Sequence, residues 1–115
     1  MKEKKLEKAI QYIREHYLED LKLEDIARQA SITPAYLSTL LREIYNLTLV
    51  EEITHLRMDA AANVFFRKTG LSIKEVAMKV GYKDQYFFSR AFKNHFGVSP
   101  REYRKTIDPD EDIYF

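Results

Sequence analysis

The sequence contains no cysteine and no tryptophan, and it has only three glycines and three prolines among 115 residues. Without cysteine the chain cannot form a disulfide, a thiolate zinc site or a cysteine nucleophile. Helix-breaking residues are scarce and no segment alternates apolar and polar residues with period two, which argues against strands. No apolar run reaches the length of a signal-peptide core or a membrane span, so we expect a soluble, cytoplasmic protein with no membrane partner.

Signatures of catalysis are also missing. The histidines at positions 16, 55 and 95 are isolated, and the chain has no HExxH, no CxxC, no glycine-rich phosphate loop and no nucleophile elbow. Each histidine is better explained as a surface or core residue than as a metal ligand or a base. The sequence therefore predicts that the protein is not an enzyme, has no catalytic or metal-binding residues and needs no cofactor.

The net charge is only +1, but charged residues are unevenly distributed along the chain. The last ten residues contain four acids and no base, so residues 1–105 carry 19 basic and 14 acidic groups, a net charge of +5. We predict a mildly basic folded region followed by a solvated, disordered acidic tail over residues 108–115. The alternative is a tail that competes with DNA for a basic surface.

Apolar residues recur three and four positions apart almost throughout, which indicates an all-α fold. The predicted helices cover residues 3–17, 22–30, 34–45, 49–67, 73–80, 85–96 and 100–106. Three residue pairs fit the capping box, namely Thr48 with Glu51, Ser72 with Glu75 and Ser99 with Glu102. Other residues suit helix ends: Thr33 and Asp84 as caps, Pro34 and Pro100 in first turns, Asn46 and Gly97 as left-handed terminators.

One segment of the chain is repeated. The stretch "LKLEDIARQASITPAYLSTLLREIYNLT" from Leu21 matches "LSIKEVAMKVGYKDQYFFSRAFKNHFGVS" from Leu71, at an offset of 50 in the first helix and 51 in the second. Each copy is a short helix, a tight turn and a longer helix, the outline of a helix-turn-helix. Gly81 suits the tight turn of the second copy, whereas Ser31 in the first copy fits less well.

The repeat predicts two helix-turn-helix units, residues 1–47 and 68–107, joined by a linker helix over residues 48–67. A helix from Leu49 to Arg67 would be roughly 28 Å long at about 1.5 Å per residue. Such a linker can hold two reading helices about one turn of DNA apart, since successive major grooves repeat every ~34 Å.

The helix over residues 85–96 has two different faces. On a helical wheel its aromatic side contains Phe88, Ala91, Phe92, His95 and Phe96, with Phe87 at the border. This side is most simply the anchor to a core, because seven phenylalanines in a small helical domain are needed to fill its centre. A platform that stacks on nucleotides is the alternative.

The opposite face carries groups suited to the major groove. Arg90 can donate two hydrogen bonds to guanine, and Gln85 can pair with adenine. Tyr86 and Ser89 can reach base edges or phosphates, while Lys93 and Asn94 resemble contacts to the DNA backbone. The alternative is that this face is merely a solvated surface and contacts no DNA.

The segment "SIKEVAMKVGYKDQYFFSRAFKNHFGVSPREYRK" (Ser72 to Lys105) resembles the C-terminal signature of the AraC/XylS-type bacterial transcription regulators, in its glycine-tyrosine turn, its "FSRAFK" core and its "GVSPREYR" ending. A weaker match through "LEDIARQASITPAYLSTLLRE" and "HLRMDAA" extends the resemblance over about residues 6–105. The resemblance implies two helix-turn-helix units joined by a long helix, with both recognition helices in the major groove of double-stranded DNA.

The resemblance also implies base-contacting positions: Gln85, Tyr86, Ser89 and Arg90 in the second unit, and Ala35, Ser38, Thr39 and Arg42 in the first. The first unit departs from the family pattern, with "STLLR" where many relatives have "SRLFK". From Leu21 to His55 there are three bases and five acids, a net charge of −2, whereas from Leu71 to Lys105 there are eight bases and three acids, a net charge of +5. We therefore expect the second unit to dominate DNA affinity.

The sequence thus predicts a sequence-specific transcription regulator that reads two adjacent major grooves. The resemblance implies RNA polymerase as a partner and an N-terminal sensor or receiver domain outside this sequence. The alternative is a protein-interaction module built from degenerate helix-turn-helix units, which the acidic first unit favours.

Overall fold

The computed structural model describes residues 2–109, with side chains from residue 4 onward. This range forms seven α-helices and no strand, as predicted: α1 (Lys2–His16), α2 (Leu23–Gln29), α3 (Pro34–Tyr45), α4 (Leu49–Phe66), α5 (Ile73–Lys79), α6 (Gln85–Phe96) and α7 (Pro100–Ile107). Every helix end falls within one residue of its predicted position. None of the seven helices is both long and apolar enough to cross a lipid bilayer. The predicted acidic tail lies outside the described residues from position 110 onward.

Two of the predicted capping boxes are confirmed. At the start of α5, Ser72 Oγ accepts a hydrogen bond from the Glu75 amide at 3.1 Å, and the Glu75 carboxylate accepts one from the Ser72 amide at 2.9 Å. At the start of α4 the same reciprocal pair joins Thr48 and Glu51, at 3.1 and 2.8 Å. Each box satisfies two amides that the helix itself leaves unbonded, which explains why these helices begin where they do.

The third predicted box, at the start of α7, takes a different form. Ser99 Oγ accepts from the Glu102 amide at 3.1 Å and also donates to the Glu102 carboxylate at 3.2 Å. The two residues therefore bond each other through one hydroxyl rather than through both amides. The helix start itself is as predicted.

The chain divides into two compact units, Met1–Leu56 and Arg57–Phe115, which we call the N-terminal unit and the C-terminal unit. The division falls inside α4. In the N-terminal unit α1 packs against α2 and α3, and three apolar residues of α4 pack on the same core. That core is aliphatic, and its buried residues are Leu6, Ala9, Ile10, Ile13, Ile26, Ala27, Ala30, Leu37, Leu40 and Leu41.

The core of the C-terminal unit is built around aromatic rings. Phe92 of α6 is fully buried, and its ring centroid lies 5.7 Å from that of Phe65 in α4 and 5.8 Å from that of Phe88. Phe96 and Tyr103 approach the same ring at 4.6 and 5.4 Å. Edge-to-face and tilted arrangements of this kind stabilise a core beyond the area that they bury. Phe92 therefore holds α4, α6 and α7 together.

Arg104 is a buried charged residue of α7, only 6% exposed. Its Nη2 atom donates a hydrogen bond to the carbonyl oxygen of Leu71, in the loop before α5. Its guanidinium carbon also lies 4.7 Å from the centroid of the Phe65 ring. One side chain thus connects α7 to two other segments that are distant in sequence.

We predict that Arg104→Ala lowers the free energy of unfolding by about 2 kcal/mol, because it leaves the Leu71 carbonyl without its charged donor. Urea unfolding followed by far-UV circular dichroism measures the change. Lys105→Ala, an exposed neighbour on the same helix, serves as the control and should change stability by less than about 0.5 kcal/mol. Equal effects of the two substitutions would show that Arg104 does not tie α7 to the rest of the unit.

The hydrogen bond from the Ser72 amide, and then that from the Ser72 side chain, lowers the pKa of Glu75 below its ordinary value of 4.5. Because the folded state favours the carboxylate, this hydrogen bonding stabilises the fold fully when the pH is above the ordinary pKa. The stabilisation is lost as the pH falls through the lowered pKa of Glu75 in the folded state. We therefore predict that wild-type protein exceeds Glu75→Gln in stability by more at pH 7 than at pH 3.

Thermal unfolding at both pH values measures this difference. The glutamine variant keeps an acceptor for the Ser72 amide but has no proton to gain. Glu7→Gln, on the exposed surface of α1, provides a control for the general effect of removing one negative charge. A wild-type advantage over Glu75→Gln that is the same at pH 7 and pH 3 would contradict the prediction.

Candidate nucleic-acid interface

The turn between the two helices of each repeat is closed by the same backbone hydrogen bond. In the N-terminal unit the Ile32 amide donates to the Ala27 carbonyl at 3.0 Å. In the C-terminal unit the Tyr82 amide donates to the Ala77 carbonyl at 2.9 Å. Both alanines are fully buried. The repeat seen in the sequence is therefore a repeat in hydrogen bonding and packing, and each copy is a helix-turn-helix.

Both turns need a residue with positive φ. Gly81 has φ of 96°, and Ser31, at the equivalent position, has φ of 58°. Glycine adopts this region without cost, whereas a residue with a Cβ atom does so at an expense of roughly 1 kcal/mol. The poorer fit expected of Ser31 is thus a real conformational strain in the N-terminal unit.

The second helix of each repeat, α3 or α6, begins and ends as predicted. The side chains of Thr33 and Asp84 accept hydrogen bonds from amides of the first turn. Asn46 and Gly97 follow the helices in left-handed conformations, with φ of 56° and 83°. Both helices are 12 residues long. These ends define a pair of equivalent helices, each with a side-chain hydrogen bond to its first turn.

Fully buried side chains fix the rotation of each of these helices about its own axis. In α6 they are the pair Phe88 and Phe92, and in α3 they are the equivalent pair Leu37 and Leu41 together with Leu40. The members of each pair are four residues apart and therefore lie on one side of the helix. The opposite side must face solvent.

The exposed side of α6 contains the residues that the sequence predicts as DNA contacts. Gln85, at the first position of the helix, is exposed, and Tyr86 is 62% exposed. A shallow depression of about 320 Å³ in the surface is lined by Tyr86, Ser89, Arg90, Lys93, Asn94 and Ser99. The structure thus brings five of the six predicted residues of this unit around one concavity, although Ser89 is half-buried rather than fully exposed.

Arg90 lies beside an aromatic ring within this depression. Its guanidinium carbon is 5.6 Å from the centroid of the Tyr86 ring. This cation-π contact restrains a long side chain that is otherwise exposed, while its planar fork of N–H donors suits two acceptors on one base edge. The pair can therefore present a partly ordered guanidinium to a groove.

The exposed side of α3 is chemically poorer. The predicted contacts Ala35, Ser38, Thr39 and Arg42 are all exposed, but the Thr39 hydroxyl donates to the Ala35 carbonyl at 3.1 Å. The pKa of Glu51 is lowered mainly by its hydrogen bonds with the Thr48 amide and hydroxyl, and to a smaller extent by the charge of Arg42. Part of the positive charge of this face is thus offset by a nearby carboxylate.

Two exposed aromatic residues were not predicted as contacts. Phe87 of α6 is 60% exposed and Tyr36 of α3 is 42% exposed. The helical wheel placed Phe87 only at the border of the buried face. The sequence repeat could have identified them, because Tyr36 and Phe87 occupy equivalent positions, each immediately before a fully buried residue.

Comparison with known proteins gives a family match over most of the chain. A family model described as "Helix-turn-helix domain" matches residues 26–106. The chain is 37% identical over 95 residues to the Msm operon regulatory protein of Streptococcus mutans, covering 83% of this chain and 34% of that protein. It is 34% identical over 98 residues to the regulatory protein SoxS of Salmonella typhimurium, covering 85% of this chain and 91% of that protein.

Solved structures include a similar fold at comparable identity. The C-terminal domain of AraT, a response regulator from Geobacillus stearothermophilus, superimposes with a TM-score of 0.82 and 39% identity, covering 89% of this chain and 84% of that one. Several of the matching curated regulators are much longer than SoxS, and the chain spans about a third of their length.

Proposed function

The chain belongs, as a DNA-binding domain, to the AraC/XylS-type family of helix-turn-helix transcription regulators, and we propose that it reads a specific duplex by placing α3 and α6 in two adjacent major grooves. The observation that carries this proposal is the exposed polar face of α6. Phe88 and Phe92 are fully buried, so the helix can turn no other face outward.

Each residue of this face has a role that follows from its chemistry. Arg90 donates two hydrogen bonds to the O6 and N7 atoms of a guanine, and Gln85 pairs with an adenine in the same groove. Tyr86 and Ser89 reach base edges or phosphates. Lys93 and Asn94, further along the helix, contact the DNA backbone and set the position of the helix without reading sequence.

The two units contribute unequally in this proposal. Residues 71–105, in the C-terminal unit, have a net charge of +5, whereas residues 21–55 in the N-terminal unit have a net charge of −2. Neutralisation of phosphates supplies much of the affinity for DNA. The C-terminal unit therefore dominates binding, and the α3 residues Ala35, Ser38, Thr39 and Arg42 add weaker contacts.

The proposal extends to the whole protein. Residues 1–47 and 68–107 act as two reading units, with residues 48–67 as the linker between them. Because the chain spans about a third of several relatives, a sensor or receiver domain on its N-terminal side controls it in this proposal. The DNA-bound protein then recruits or positions RNA polymerase, and it acts in the cytoplasm without catalysis.

Selection from a pool of random duplexes tests the proposal. The enriched site should contain two blocks about ten base pairs apart, matching one turn of DNA. Its affinity, measured at about 50 and 200 mM salt, should exceed that for scrambled DNA by at least ~10³. No enriched motif, with equal affinity for scrambled DNA, would contradict sequence-specific reading.

We predict that Arg90→Ala weakens binding to the selected site by about tenfold or more and removes the base preference in one block, because a bidentate guanine contact is lost. Arg42→Ala should have a smaller effect, since the N-terminal unit carries fewer favourable charges. Arg14→Ala, an exposed arginine of α1, controls for the loss of one positive charge. Fluorescence anisotropy gives the three dissociation constants, and a larger effect of Arg42→Ala than of Arg90→Ala would refute the predicted asymmetry.

A further inference from the structure

Phe87 is a large apolar side chain that its own core leaves uncovered. It is 60% exposed, and its ring centroid lies 5.5 Å from that of Tyr86, itself 62% exposed. Neighbouring Phe88, one residue later, is fully buried. The two adjacent exposed rings therefore form an apolar surface at the start of α6.

The position of Phe87 on the helix places it with the reading residues. Arg90 and Asn94 follow it by three and seven residues, so the three side chains lie along one stripe of α6. Phe87 is in the first turn, and the first residues of a recognition helix are those that contact base edges. In the proposed complex, an apolar group at this place therefore faces base edges rather than phosphates.

The other unit repeats this feature. Tyr36 is the third residue of α3, as Phe87 is the third residue of α6, and it is 42% exposed. Each ring is followed by a fully buried residue, Leu37 or Phe88. Single exposed apolar residues are ordinary on protein surfaces, but a ring at the same position of two equivalent helices is not scattered at random.

We propose that Phe87 is a specificity-determining residue that packs against the 5-methyl group of a thymine in the half-site bound by α6. This inference rests on the proposed function and adds to it a base that α6 selects. Phe87 offers no hydrogen-bond donor or acceptor, and the thymine methyl is the one apolar group that a standard base displays in the major groove. Tyr36 makes the equivalent contact in the other half-site.

The same contact discriminates against cytosine. Cytosine lacks the methyl group and directs its amino donor into the major groove. Thymine places its O4 acceptor where cytosine has this donor, so a nearby phenyl ring covers one polar group in either case. Phe87 thus favours thymine through its attraction to the methyl group.

Replacement of single thymines by deoxyuridine in the selected duplex tests this contact, because uracil differs from thymine only by the methyl group. At one or two thymines of the block assigned to α6, the wild-type protein should bind the uracil duplex about fourfold more weakly, the value expected for one buried methyl group. Phe87→Ala should bind the thymine and uracil duplexes equally.

Two further variants control the experiment. Phe66→Ala removes a ring of the same size from the end of α4, where it is 70% exposed, and should keep the wild-type sensitivity to uracil. Phe87→Leu keeps an apolar side chain and should retain part of the sensitivity. Thermal unfolding of each variant confirms that the fold is intact before binding is measured.

The outcomes separate the inference from the proposed function. Uracil sensitivity that is equal in wild type and Phe87→Ala at every position, or a block for α6 without any thymine, would overturn the role of Phe87 while leaving sequence-specific binding in place. Failure to enrich any motif would remove both the proposed function and this inference. Loss of sensitivity in Phe87→Ala alone supports both.

Discussion

The burial of Phe88 and Phe92 is the constraint on which the account of α6 depends. Two fully buried rings four residues apart allow only one rotation of the helix about its axis. That rotation turns Tyr86, Arg90 and Lys93 outward together. The direction of the outer side chains is thus a consequence of the packing of the inner ones.

The two repeats share a backbone geometry but differ in their turn residue, their buried anchor residues and their charge. The same hydrogen bond closes both turns, and the same two positions anchor both recognition helices. In the C-terminal unit the turn has glycine and the anchors are aromatic, whereas the N-terminal unit has Ser31 in a strained conformation and leucine anchors. The N-terminal unit is also the acidic one. Duplication of a helix-turn-helix followed by divergence accounts for this pattern: both copies have the fold, and the C-terminal copy has the more basic exposed face.

The sequence predicted the helices closely because local chemistry determines their ends. Capping pairs such as Ser72 with Glu75 act between residues three apart, and they are visible without a structure. Long-range contacts were not accessible in this way. The burial of Arg104 depends on the Leu71 carbonyl and the Phe65 ring, both more than thirty residues away in the chain. The exposure of Phe87 depends likewise on which neighbouring segments cover α6. A helical wheel describes one helix alone, so it cannot show that coverage.

The central claim is that the exposed sides of α6 and, more weakly, α3 are the surfaces that meet DNA. Titration of the labelled protein with its selected duplex, followed by NMR of backbone amides and arginine side chains, tests it most directly. The account predicts the largest shifts at residues 85–94, with the Arg90 guanidinium among them, and smaller shifts at residues 35–42. Shifts concentrated on α1, with residues 85–94 unchanged, would contradict it.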